Sequence, residues 1–271
     1  MKRAFVVVTT LLLFAVPSFA SLREGTTAPG APDPAALTRL AARVDSLVAL
    51  GKLPVVIFDI DGTLTDPAPR TRAIFDAYAS KNPKDKARIR KGITSLPLGR
   101  YAYAPESTLV LMGVRDTALV HRMGRFWVTY FFSNKFLSQD QALMGAPEYV
   151  TSLWTRGACV VYLTGRDVPR MLEGTAASLR DQRFPIASPR AVLVMKPDPK
   201  EPDLEFKKKV FDDFARVGTV AGVFENEPAN LTAMQDRFPA AIAVFVDTTH
   251  DPKKTDVVRA DAAWVHDFRI P

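Results

Sequence analysis

Five short runs of apolar residues, each bounded by polar or turn-forming positions, punctuate the chain at 55–58, 159–163, 191–195, 220–224 and 241–246. Unbroken apolar runs of strand length suit strands covered on both faces, whereas a strand with one wet face alternates. Between the later runs the apolar positions change to a helical period, near 147–156, 168–182, 204–217 and 228–237. Such alternation predicts a doubly wound α/β fold whose mostly parallel sheet has five strands or more. Upstream, Leu37, Leu40, Ala41, Val44, Leu47 and Val48 recur at helical spacing. Asp33 and Pro34 before them offer an N-cap and a first-turn proline, and Gly51 closes the pattern.

About a hundred residues separate the first apolar run from the second, too many for a structureless loop inside a compact domain. That stretch carries helical signals instead. Ile74, Phe75 and Tyr78 share one face, and Asp116 stands as a cap before a segment holding Phe126, Trp127, Tyr130, Phe131 and Phe136. We therefore expect a mostly α-helical insertion over 67–145, set into a core made of 33–66 and 146–271, with the aromatic stripe serving as the insertion's own core.

The first twenty residues differ in kind. Lys2 and Arg3 precede an apolar run over 4–16, and Ser18-Phe19-Ala20 places small residues around a cleavage position. This is the pattern of a cleavable export signal, with a flexible linker at 21–32 behind it. The apolar run is short for a bilayer span. The expectation is a periplasmic or secreted chain, cleaved near Ala20, with no membrane span in its mature form. A single cysteine, Cys159, leaves no internal disulfide and no thiolate metal site. His121, His250 and His266 are widely scattered, which argues against a zinc site or a Ser-His-Asp triad.

The formal charge is +7, and its distribution matters more than its size. Residues 67–145 hold thirteen Lys and Arg against five Asp and Glu, so the insertion carries the excess. A basic module can steer anionic substrates; equally, 81–91 can be a solvated helix face. The basic positions are not interleaved with aromatics as in a base-stacking platform, so no stable nucleic-acid complex is expected.

Ligands of open α/β sheets bind at the carboxyl ends of the strands, and most of four polar clusters stand there. In Asp59-Ile60-Asp61-Gly62-Thr63-Leu64-Thr65-Asp66, Asp59 falls where the first strand stops, and Asp61 lies two residues on. Two carboxylates so close repel unless a cation separates them or one keeps its proton. A magnesium ion held by oxygen ligands and a phosphate relieves that conflict. Gly62 frees the backbone to turn. Thr164 and Gly165, in Leu163-Thr164-Gly165-Arg166, offer a hydroxyl and an amide to a phosphate oxygen. Lys196, Lys207 and Lys208 are candidates for an ammonium that offsets an anionic transition state. Glu225 ends a strand ahead of Asn226, Glu227 and Asn230, and supplies carboxylate and amide oxygens for a metal.

Together these clusters resemble the haloacid-dehalogenase (HAD) superfamily, over nearly all of the chain from Pro54 to Val246. The segment DIDGTLTD is similar to that family's first motif and LTGR to its second. The resemblance implies a HAD-like Rossmannoid core with a helical cap inserted after the first motif. It also implies a Mg2+-dependent phosphatase, a phosphoric monoester hydrolase. Asp59 is then the nucleophile that forms an aspartyl-phosphate. Asp61 is the residue that protonates the leaving oxygen and afterwards activates water. Thr164, Gly165 and Lys207 bind the phosphoryl group, with Lys196 and Lys208 as alternatives to Lys207, and the metal ligands come from Asp59, Asp61, Glu225 and Asn226. The family's fourth motif usually supplies aspartates where Glu225 and Asn226 stand, and losing one charge weakens a metal site. The substrate implied is a small phosphorylated molecule, such as a nucleotide or sugar phosphate. The competing expectations are an exported binding protein that keeps the fold without turnover, and a phosphotransferase of the same fold.

Overall fold

The computed structural model describes Ala28 and residues 30–270. The expected export signal and most of the expected linker lie outside the described residues. Helix α1 (Ala35–Ala49) comes first. Strand β1 (Pro54–Phe58) leads to the short β2 (Thr65–Asp66), and helices α2 (Ala68–Lys81), α3 (Pro83–Ser95), α4 (Pro105–Leu111) and α5 (Thr117–Phe131) follow before β3 (Gln141–Ala142). Then come α6 (Ala146–Thr155), β4 (Cys159–Asp167), α7 (Val168–Asp181), β5 (Ala191–Lys196), α8 (Asp203–Val217), β6 (Thr219–Glu225), α9 (Pro228–Arg237), β7 (Ile242–Val246) and β8 (Ala263–Val265).

Six strands form one sheet in the order β5-β4-β1-β6-β7-β8, every pair parallel. The chain moves outward from β1 in one direction and then returns to continue in the other. That reversal opens a crevice between β1 and β6 at their carboxyl ends, where doubly wound sheets bind ligands. Val56 and Phe58 of β1 enter a cluster with α1 and α6, while Val55 and Ile57 enter one with α8 and α9. Helices therefore cover both faces, which is why β1 reads as an unbroken apolar run.

The sixth strand, β8, was not expected from the apolar pattern: only three residues pair, Ala263 to Val265 alongside Val244 to Val246. Asp116 caps α5 as predicted, accepting the Leu119 N–H at 3.0 Å. The start of α1 differs from expectation. Its N-cap is Pro34 with no side-chain cap bond, and the Asp33 carboxylate instead takes Arg39 Nη2 at 2.5 Å. The guanidinium is the stronger partner, and it holds the Asp33 carboxyl below its usual range.

The insertion between β2 and β3 has a hydrophobic cluster of its own, built on Ile74, Phe75, Leu109, Leu119, Met123 and Trp127. β2 and β3 pair antiparallel and tie its two ends together. Lys84, Lys86, Arg88 and Lys91 of α3 are all exposed, as befits a solvated helix face. Among the described residues no helix is long and apolar enough to cross a membrane.

Candidate active site

Asp59 follows β1 directly, and its N–H donates to the Phe224 carbonyl at 3.1 Å, so β1 and β6 together fix its backbone. A tight turn comes next. The amides of Leu64 and Thr65 close on the Ile60 carbonyl at 2.9 Å each, and Gly62 donates to the Thr65 carbonyl at 2.7 Å. Gly62 has φ +80, and a Cβ there would collide with the Asn226 side chain. Both the conformation and the space require glycine. The Thr248 hydroxyl donates to the Gly62 carbonyl and pins the turn from the β7 side.

Lys207 reaches this turn from α8. It is buried, and its ammonium donates to Asp59 Oδ1 at 2.8 Å and to Glu225 Oε2 at 2.6 Å. The other two candidate lysines are engaged elsewhere: Lys196 with Asp203 at 2.6 Å, and Lys208, on the exposed side of α8, with Glu205 at 3.5 Å. Glu225 Oε1 accepts the amides of Asn226 (3.1 Å) and Glu227 (3.2 Å). One cation thus serves two buried carboxylates. Burial, and then the Glu225 charge, push the Asp59 carboxyl up to about 7 against the pull of Lys207. Burial disfavours the charged ammonium, but the two carboxylates outweigh it and keep Lys207 protonated.

Asp61 belongs to a second cluster that the sequence did not disclose. Arg166 grips it as a fork, Nε to Oδ2 at 2.7 Å and Nη2 to Oδ1 at 2.8 Å, and Arg70 Nη2 bonds Oδ1 as well. Asp140, from the segment before β3, closes the ring. Its Oδ2 accepts Arg166 Nη2 at 2.7 Å, while its Oδ1 lies 2.9 Å from Arg70 Nε as an ion pair off the hydrogen-bond direction. Burial raises the Asp61 carboxyl, but Arg166 and Arg70 prevail and hold it well below the usual carboxylate range. Asp140 moves the other way, to about 6, because its burial outweighs the same arginines. Arg166 stood in a quoted motif without a role. Arg70 and Asp140 carried no signal, because neither stands in a motif and they meet each other and Arg166 only through tertiary packing.

Thr164, paired with Met195, and Gly165, at the irregularity that follows in β4, line the same cavity as Asp59, Asp61, Lys207, Glu225 and Asn226, with a volume of about 340 Å³. The Thr164 hydroxyl accepts the Arg166 N–H at 3.2 Å, leaving its own proton free for an anion. A Cβ on Gly165 would strike the Asp203 carboxylate, so that close approach also depends on glycine.

The donor set admits a hard cation. Asp59 Oδ2 takes no hydrogen bond from the described residues, and Asn226 Oδ1 accepts only the Thr63 hydroxyl at 3.3 Å. These two oxygens fit Mg2+, which keeps several waters and leans on one or two protein ligands. The side chains of Asp61 and Glu225, also expected as ligands, bond two arginines and Lys207 in this arrangement. Among the described residues no group of three or more His, Cys, Asp and Glu is arranged to hold a metal.

These shifts set a pH dependence. Asp59 and Asp140 bind protons more readily in the folded chain than in the unfolded one, so their contribution to stability falls as pH rises through about 6 to 7. Asp61 acts oppositely: its stabilisation is complete above the unfolded carboxylate range, near pH 4, and is lost only below it. Without divalent metal, we expect thermal unfolding at pH 5.5 to lie roughly 5 °C or more above that at pH 8, at about 2–4 °C per kcal/mol. Calorimetry at the two pH values checks this; a higher melting point at pH 8 contradicts it.

No protein-family model and no curated protein matches the sequence. Among solved structures, the chain is similar to a haloacid dehalogenase-like family hydrolase from Streptococcus pneumoniae, at 14% identity over 78% of this chain and 92% of that one, with a TM-score of 0.45. It is also similar to the class C acid phosphatase from Bacillus anthracis, at 15% identity over 82% of this chain and 85% of that one, with a TM-score of 0.46.

Proposed function

We propose that the chain is a phosphomonoesterase of the haloacid-dehalogenase type, with Asp59 as its nucleophile. The observation that carries this reading is Asp59 itself. It is a buried carboxylate at the carboxyl end of β1, one oxygen held by Lys207 and the other unpartnered, in the wall of the cavity that Thr164 shares. A structural carboxylate at a strand end gains nothing from a second buried carboxylate, Glu225, on the same ammonium. A nucleophile with a charge partner gains orientation and transition-state stabilisation.

In this reading Asp59 Oδ2 attacks phosphorus and the ester P–O bond breaks, giving an aspartyl-phosphate and a leaving alkoxide or phenoxide. Lys207 and the Thr164 hydroxyl hold the phosphoryl oxygens. Water then attacks phosphorus, gives a proton to Asp61, and releases Asp59 and phosphate. Asp61 is held ionised by its arginines, the form that accepts this proton. Its expected service as acid in the first step requires a bound phosphate to take over one of those guanidinium groups. Mg2+, held by Asp59 and Asn226, supplies charge neutralisation for the transferring group when bound. The pattern of residues 1–20 supports placing the reaction outside the cytoplasm.

Hydrolysis of 4-nitrophenyl phosphate tests the proposal. Activity is expected with millimolar Mg2+, to be lost with a chelator, and to return when metal is restored. A folded protein inactive on a broad panel of phosphate esters would point to the binding-protein alternative.

A further inference from the structure

The cavity above Asp59 has an aromatic wall that the proposed chemistry does not use. Tyr103, Trp127, Phe131 and Phe132 line it together with Tyr101 and Met171. The wall is rigidly built. Trp127 donates through Nε1 to the Thr71 hydroxyl at 3.1 Å and stacks on Phe131 at 4.0 Å and 24° from parallel, and the Arg70 guanidinium lies 3.8 Å from the Phe131 centroid. The faces of Phe131 are thereby engaged. Phe132 meets both Trp127 and Phe131 edge-on, at 81° and 77°. Phe132 and Tyr103 remain the accessible rings, 36% and 47% exposed.

The charges of the same cavity limit what else can enter. Its basic side chains are Arg166 and Lys207, and each is already shared between two carboxylates. Asp66, Asp203 and Glu227 line it as well. A second phosphate would find no uncommitted cation in this lining, where Asp66 adds a carboxylate and Asp203 and Glu227 are paired with Lys196 and Lys254. The positive charge of the insertion is not reflected in this lining. The volume, about 340 Å³, stands at the lower end of ligand pockets and suits one phosphate and one ring system.

We propose that the substrate is a monoester carrying a single phosphate and an aromatic or heteroaromatic ring, which packs against Tyr103 and Phe132. This rests on the phosphomonoesterase reading for the phosphate end. The ring end rests on the wall alone.

Binding of non-hydrolysable phosphonates to the full chain with Mg2+, followed by titration calorimetry, tests it independently of turnover. Phenylphosphonate is expected to bind about tenfold more tightly than methylphosphonate, the scale of one packed ring, and pyrophosphate more weakly than either. Tyr103→Ala and Phe132→Ala should each shrink the phenyl-over-methyl ratio about threefold or more. Equal affinity for the two phosphonates, a ratio insensitive to both substitutions, or preference for pyrophosphate would overturn the inference. If phosphate esters are not hydrolysed but the phenyl preference holds, the catalytic reading fails and the aromatic site stands.

Discussion

Replacing Lys207 by Met is expected to lower turnover about 10²–10³-fold, the cost of removing one preorganised charge from a developing anion, and to destabilise the fold by roughly 3–5 kcal/mol. The reason is stoichiometric. Among the described residues Lys207 is the only group that bonds both Asp59 and Glu225, at 2.8 and 2.6 Å, and all three are buried. Without it, two carboxylates remain in a low-dielectric crevice, Asp59 already pushed to about 7 by burial and by Glu225. One must take a proton, and a protonated Asp59 is no nucleophile. Denaturant melts and steady-state rates measure the two effects. A Lys207→Met protein of normal stability would show that the ammonium is not holding the pair together.

Asp140→Ala is the second large effect, and it acts from the insertion. The Asp140 side chain is fully buried between Arg70 and Arg166, which are themselves 0% and 2% exposed. Removing it leaves two guanidinium groups sharing Asp61 alone, an uncompensated buried charge that costs roughly 3–5 kcal/mol. Melting should fall about 10 °C, at about 2–4 °C per kcal/mol, and Asp140→Asn should lose less because an amide oxygen can still accept. A fall of under about 2 °C for Asp140→Ala would mean that the ring is not cohesive.

The sheet was legible because its strands are covered on both faces: Val55 and Ile57 pack one way, Val56 and Phe58 the other, and the sequence shows a plain apolar run. β8 escaped because three paired residues leave no such run. The turn at Gly62 and the position of Asp59 follow from local chemistry that a motif records. The arginine ring does not, since Asp61, Arg70, Asp140 and Arg166 come together only through tertiary packing. For the same reason the cations that pair with Asp61 and Glu225 could not be read from the motifs. The aromatic stripe divides between two roles. Phe126, Tyr130 and Phe136 pack against the insertion's own cluster, while Trp127, a member of that cluster, and Phe131, packed against it, also face the cavity. Periodicity distinguishes a buried face from a wet one, but not a core from a pocket wall.

The central claim is that Asp59 becomes phosphorylated. Acid quenching during turnover of a radiolabelled phosphomonoester, followed by peptide mapping, tests it most directly. The label is expected on the peptide carrying Asp59 and is expected to vanish, together with hydrolysis, in Asp59→Asn. Hydrolysis that survives Asp59→Asn, or label on another residue, would contradict the account.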